Sequence, residues 1–183
     1  MKGQGYHAGP MLGPAPARLV ALVTRFKEEP PMRCIFCDIV AGRSPCHRVW
    51  EDEEHLAFLS IYPNTPGFTV VIPKAHHSSY AFDQSDEVLC RLVLATKCVA
   101  RLLDRSLDGV ARSGMFFEGY GVDHLHSKLF PMHGTGNDPT FQAVESRVDK
   151  YFTRYEGYLS SHDFRRADDE RLAELAARIR TFA

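Results

Sequence analysis

The chain has 183 residues, enough for one well-buried core, with 44% hydrophobic and 25% charged residues, the balance of an ordinary soluble globular domain. A formal net charge of −1 gives no support to general nucleic-acid or membrane-surface binding, while leaving room for local positive charge at a phosphate site. Five cysteines, an odd number, with no secretory segment ahead of them, argue against a disulfide framework, and no stretch reaches the length of a transmembrane helix. A cytoplasmic protein is expected.

Residues 1–32 are rich in Gly and Pro without a sustained period and read as a flexible N-terminal tail. The domain is expected over 33–140. It opens with Cys34–Val40, a turn and short helix ending at Gly42. Val49–Glu51 and Leu56–Ile61 read as strands separated by the acidic turn Asp52-Glu53-Glu54. After the loop Pro63-Asn64-Thr65-Pro66-Gly67, Phe68–Ile72 forms a β-branched strand that Pro73 ends. A long helix is predicted over Ser85–Arg105. Ser85 caps it, Asp86 and Glu87 suit its first turn, and Val88, Leu92, Ala95, Val99 and Leu102 make an apolar stripe. Strands at Ser113–Phe117 and His124–Phe130 follow, joined by Glu118-Gly119-Tyr120-Gly121. Residues 141–183 read as a C-terminal extension packing on the domain, with an aromatic segment (Tyr151, Phe152, Tyr155, Tyr158) and an amphipathic helix near Asp168–Ile179.

Chemistry concentrates in Asp123-His124-Leu125-His126-Ser127-Lys128-Leu129. In an extended strand alternate side chains share a face, so Leu125, Ser127 and Leu129 point one way and His124, His126 and Lys128 the other. Two imidazoles and an ammonium in a row are costly to bury without a metal, an anion or a hydrogen-bond network. Cys34 and Cys37, with His76 or His77 and then His124, offer two thiolates and two imidazoles, a composition suited to tetrahedral zinc. A redox pair at Cys34-Ile35-Phe36-Cys37 is the alternative. If a metal takes His124, His126 is the free imidazole, a competent nucleophile or acid-base group near neutral pH. Lys128 on the same face would attract a phosphate and stabilise charge on its oxygens. His133 is open to two readings, a further phosphate contact or a surface histidine.

Several segments together resemble the histidine-triad (HIT) family. They are Cys34–Gly42, Ala57–Pro63, Pro66–Lys74 and His124-Leu125-His126, in the family's order, over roughly residues 33–133. The resemblance implies an α+β domain with an antiparallel sheet and one long helix, here followed by the C-terminal helical extension, usually paired as a homodimer. It implies a small-molecule nucleotide substrate, with no nucleic acid and no membrane as partner, and cleavage at phosphorus with His126 as nucleophile. The purine pocket would fall on Phe36, Ile39, Phe58 and Ile61, with Ser60 where the family commonly has the acid that holds the ribose. The ligands of a structural zinc would be Cys34, Cys37, His76 and His124. Lys128 stands where the family has its third histidine, and Phe117 where it has a phosphate-binding Asn. The expected function is a nucleotide hydrolase of dinucleoside-polyphosphate (diadenosine tetraphosphate) or nucleoside-phosphoramidate type. A nucleotidyl transferase or phosphorylase, or a silent nucleotide-binding adaptor, is the alternative.

Overall fold

An acidic turn and a Pro/Gly loop cut the apolar segments of the N-terminal half into short strands, and these lie side by side. A computed structural model describes residues 34–136, 143, 151, 153–154 and 165–183; the expectations for residues 1–33 and for most of 137–164 lie outside them. Strands β1 (His47–Glu51), β2 (His55–Leu59), β3 (Thr69–Pro73), β4 (Val110–Phe116) and β5 (Ser127–His133) form one antiparallel sheet ordered β1-β2-β3-β5-β4. Three helices accompany it, α1 (Ile35–Val40), α2 (Asp86–Ser106) and α3 (Asp169–Arg180). The architecture is the expected α+β class. Among the described residues no helix is long and apolar enough to cross a membrane.

The helices begin where local chemistry says they should. Ser85 Oγ accepts the Val88 N–H at 3.3 Å, and Asp168 accepts the Arg171 N–H at 3.0 Å, each satisfying an orphan donor of a first turn. The α2 stripe buries Leu92, Ala95, Val99 and Leu102, and α3 buries Leu172, Ala176 and Ile179. Both helices pack against Val49, Ala57, Leu59, Val71, Leu125 and Leu129 on one face of the sheet. The opposite face carries Leu56, Phe58, Val70 and Ile72 under Phe36 of α1. With both faces covered, β2 and β3 are buried at every position, as a two-sided apolar strand requires.

The described strands differ at their ends from those expected. β1 starts two residues earlier, at His47, β2 stops at Leu59, and β4 starts at Val110 rather than Ser113. The largest difference falls at the histidines. The expected strand His124–Phe130 begins only at Ser127, because the backbone ahead of it bonds to loops instead of the ladder. His124 N–H reaches Val122 O at 2.8 Å and Leu125 N–H reaches His77 O at 2.8 Å. The alternation of side chains nevertheless holds. Leu125 and Leu129 join the helix-covered core, while His124 and His126 meet the Phe36 ring on the other face. That second face is buried, with His124 at 0%, His126 at 2% and Lys128 at 8% relative exposure.

Ser127, between His126 and Lys128, fastens β5 to α2. Its hydroxyl lies 2.6 Å from Thr96 Oγ1, whose own O–H donates to Leu92 O at 2.7 Å. With the Thr96 proton so engaged, Ser127 is the donor between the two hydroxyls. Thr96→Val should leave the buried Ser127 hydroxyl without its acceptor and cost about 1–3 kcal/mol in urea unfolding. Adding Ser127→Ala should recover part of that loss, since removing both partners is nearly neutral. A double variant less stable than Thr96→Val alone would exclude this pairing.

Candidate functional site

Two neighbouring arrangements occupy the α1 face of the sheet. The first is built by the Cys-x-x-Cys turn, the segment after β3 and the residues entering β5. Cys34 Sγ lies 3.4 Å from His124 Nδ1, and Cys37 Sγ lies 3.4 Å from His76 Nδ1 and 3.6 Å from His124 Nδ1. One ligand atom from each of the four residues lies within 4.8 Å of all the others. A tetrahedral zinc with ordinary Zn–S and Zn–N bonds sets its sulfur and nitrogen ligands about 3.6 Å apart. The three sulfur–nitrogen distances match that spacing, and the donor types suit the ion.

The hydrogen bonds also choose the right nitrogen. His124 Nε2 lies 2.8 Å from Pro73 O, so Nε2 carries the proton and Nδ1 turns its lone pair to the thiols. Burial holds the His124 pKa below the usual imidazole value against the Pro73 bond, which favours the charged form. The neutral ring is the form a metal needs. Burial, and then Cys34 beside it, pushes the Cys37 thiol up, so two thiolates here call for a cation between them. Of His76 and His77, it is the His76 imidazole that joins the cluster among the described residues. Imidazoles closing on both sulfurs argue for a metal set over a redox pair.

The second arrangement is a cavity of about 490 Å³ between α1, β2, β3 and β5, within the size range of small-molecule sites. Phe36, Ile39, Phe58, Ser60 and Ile61 line it together with His126 and Lys128. His126 Nδ1 donates to His124 O at 2.7 Å, which leaves the Nε2 lone pair unprotonated. The edge contact with Phe36, centroids 5.5 Å apart, holds the ring. Burial lowers the His126 pKa; the His124 carbonyl opposes this and Lys128 adds to it. The ring is thus kept neutral, the nucleophilic form. Lys128 is the only Lys or Arg on the cavity wall among the described residues. Ser60 Oγ accepts the Tyr62 N–H at 3.1 Å, so its own proton is left to donate.

Of the two readings open for His133, its placement is that of an exposed histidine at the strand end. It closes β5 at the end away from His126 and donates Nε2–H to Pro66 O at 2.9 Å. Five steps of extended strand separate it from Lys128, about 16 Å by the usual rise. Reading the sequence alone missed Ile35, Tyr62 and Val122, which also line the cavity. It missed Glu118 as well, whose carboxylate lies 2.9 Å from Lys128 Nζ. No periodicity joins Glu118 to Lys128, since a turn stands between them. A second cavity of about 510 Å³, between α1, β1 and α3, contains neither His126 nor Lys128.

A family model, the HIT domain, matches residues 41–135, more than half of the chain. The chain belongs to the HIT domain family. An uncharacterised HIT-like protein of Methanocaldococcus jannaschii is 33% identical over 117 residues, covering 62% of this chain and 90% of that protein. The adenosine 5′-monophosphoramidase of Schizosaccharomyces pombe is 34% identical over 100 residues, covering 55% of this chain and 74% of the enzyme. Among solved structures, a zinc-bound histidine triad family protein of Mycobacterium smegmatis superposes with a TM-score of 0.57 at 26% identity, covering 82% of this chain and 93% of that one. The HIT match begins after Cys34 and Cys37, so the thiol half of the metal set rests on this chain's own geometry.

Proposed function

We propose that this HIT protein is a nucleotide hydrolase that cleaves a phosphoramidate or phosphoanhydride bond to a nucleoside 5′-phosphate through a nucleotidyl-histidine on His126. One observation carries the reading: a neutral, buried imidazole with Nε2 unprotonated in the wall of an apolar cavity, beside a lysine. The base would stack among Phe36, Ile39, Phe58 and Ile61, and Ser60 would donate to the sugar. His126 Nε2 attacks the α-phosphorus, forming the N–P bond, as the bond to the leaving group breaks. The leaving group departs with that bond's electron pair; an amine leaving from a P–N bond takes up a proton from solvent as it goes, and a phosphate departs as the anion. Water then attacks phosphorus, the N–P electrons return to Nε2, and the nucleoside monophosphate is released with a proton to solvent.

Lys128, which the resemblance sets where the family has its third histidine, would balance charge gathering on the non-bridging oxygens in both steps. The phosphoramidase activity named for the S. pombe relative favours the P–N bond as the first to test. The set Cys34, Cys37, His76 and His124 would hold zinc, closed by four protein donors and therefore structural. Its part would be to tie the N-terminal turn to the residues entering β5, and no step of the reaction passes through it.

A panel of nucleoside phosphoramidates, dinucleoside polyphosphates and nucleoside monophosphates tests the reading, with and without inorganic phosphate. Release of the monophosphate without phosphate consumption is expected; a product that has gained inorganic phosphate would mark a phosphorylase instead. Lys128→Ala should reduce turnover by about 10²–10³-fold, the scale of losing one charge-stabilising donor. Lys128→His should recover only part of the loss, because imidazole is shorter and mostly neutral near pH 7. Native turnover in Lys128→Ala would remove the lysine from the mechanism.

A further inference from the structure

The geometry points to Glu118 as the positioning residue for Lys128: its carboxylate holds the ammonium on the cavity wall beside His126. This deepens the proposed reaction and rests on it. Lys128 Nζ lies 2.9 Å from Glu118 Oε2, and the two side chains keep only 9% and 12% of their exposure. An ammonium buried to that degree is stable as a cation only beside opposite charge and acceptors.

The backbone fixes where the carboxylate stands. Phe116 is the cross-strand partner of Lys128. Two residues further, just past the end of β4, Glu118 reaches the Lys128 ammonium at 2.9 Å. The next residue, Gly119, has φ +77° and would bring a Cβ within 2.9 Å of Ser79 O, so the turn is seated against that carbonyl and only glycine fits there. Asp123 closes the other end of the same turn by accepting the Ser79 N–H at 2.9 Å. Glu118 thus leaves a turn pinned at both ends, with little freedom to follow a moving ligand.

A direct role in holding phosphate is electrostatically unfavourable. An ionised carboxylate accepts but cannot donate, and it would repel the phosphoryl oxygens it met. It therefore acts through Lys128, and a thermodynamic cycle can detect this, because residues working through one another are not additive.

The test uses the full chain as Glu118→Gln, Lys128→Met and the double variant. Each is assayed for cleavage of an adenosine 5′-phosphoramidate and, separately, for AMP affinity by calorimetry. Glu118→Gln is expected to lower kcat by about 10–10²-fold, the cost of a slightly misplaced group, with a much smaller change in KM. In the Lys128→Met background the same change should do nothing further. Native kcat in Glu118→Gln overturns the proposal, and so do losses that multiply in the double variant. If Glu118→Gln does not fold, the reversed pair Glu118→Lys/Lys128→Glu keeps a buried ion pair; it should fold and be inactive, and an active reversed pair overturns the proposal. If the native chain cleaves nothing yet binds AMP, the hydrolase reading fails and the pair is judged on affinity. There Glu118→Gln should weaken AMP only where Lys128 is present, and unchanged affinity overturns the role. A native chain that neither cleaves the phosphoramidate nor binds AMP overturns both.

Discussion

His126→Ala should abolish turnover, lowering kcat by about 10⁴-fold or more, the scale seen when a covalent nucleophile is removed. The expectation follows from the hydrogen bond between His126 Nδ1 and His124 O at 2.7 Å. That bond spends the ring's single proton and aims the other nitrogen away from the backbone. No other imidazole lines the cavity among the described residues, so nothing on its wall replaces it. AMP affinity should stay close to native, because the apolar contacts offered by Phe36, Ile39, Phe58 and Ile61 survive. Rapid quench of the native chain with radiolabelled substrate should trap a base-stable, acid-labile nucleotidyl adduct that the variant lacks. Native-rate turnover by His126→Ala would make the nucleophile assignment wrong. A native chain that binds AMP and cleaves none of the panel would instead be an adaptor.

Removing the metal should lower the melting temperature by about 8–16 °C. A ligand bound only by the folded state, present at about a thousand times its dissociation constant, contributes about 4 kcal/mol. In a chain of this size each kcal/mol moves the midpoint by about 2–4 °C. The loss should be large because the four donors come from three separate segments, the N-terminal turn, the stretch after β3 and the entry to β5. Cys34→Ser should reproduce most of the loss while changing kcat far less than His126→Ala does. Elemental analysis of the purified chain should find about one zinc per chain. Protein with no metal, melting at the same temperature before and after chelation, would leave the cluster without a structural role.

Much of the fold was legible because its signals are local. Ser85 and Asp168 cap helices through atoms three residues away, and the α2 and α3 stripes follow the 3.6-residue period. The β-branched run ending at Pro73 could be little else than a buried strand. The site was legible in part for the same reason. Alternation alone separates His124, His126 and Lys128 from Leu125, Ser127 and Leu129, and that division survives although β5 begins only at Ser127.

What the sequence by itself determined was therefore which side chains share a face, which segments form elements, and which residue types could bind a metal or attack phosphorus. Only the tertiary structure decided what covers the face. The histidine row is buried beneath Phe36 of α1. The tertiary structure also decided His76 over His77, drew Glu118 to Lys128 across a turn, and carried His133 to the far end of β5. Each of these depends on strand register and on the path of a loop, with contacts running from 10 residues between Glu118 and Lys128 to 90 between Cys34 and His124. Periodicity reports the geometry of a single element, whereas such contacts exist only once the elements are packed together.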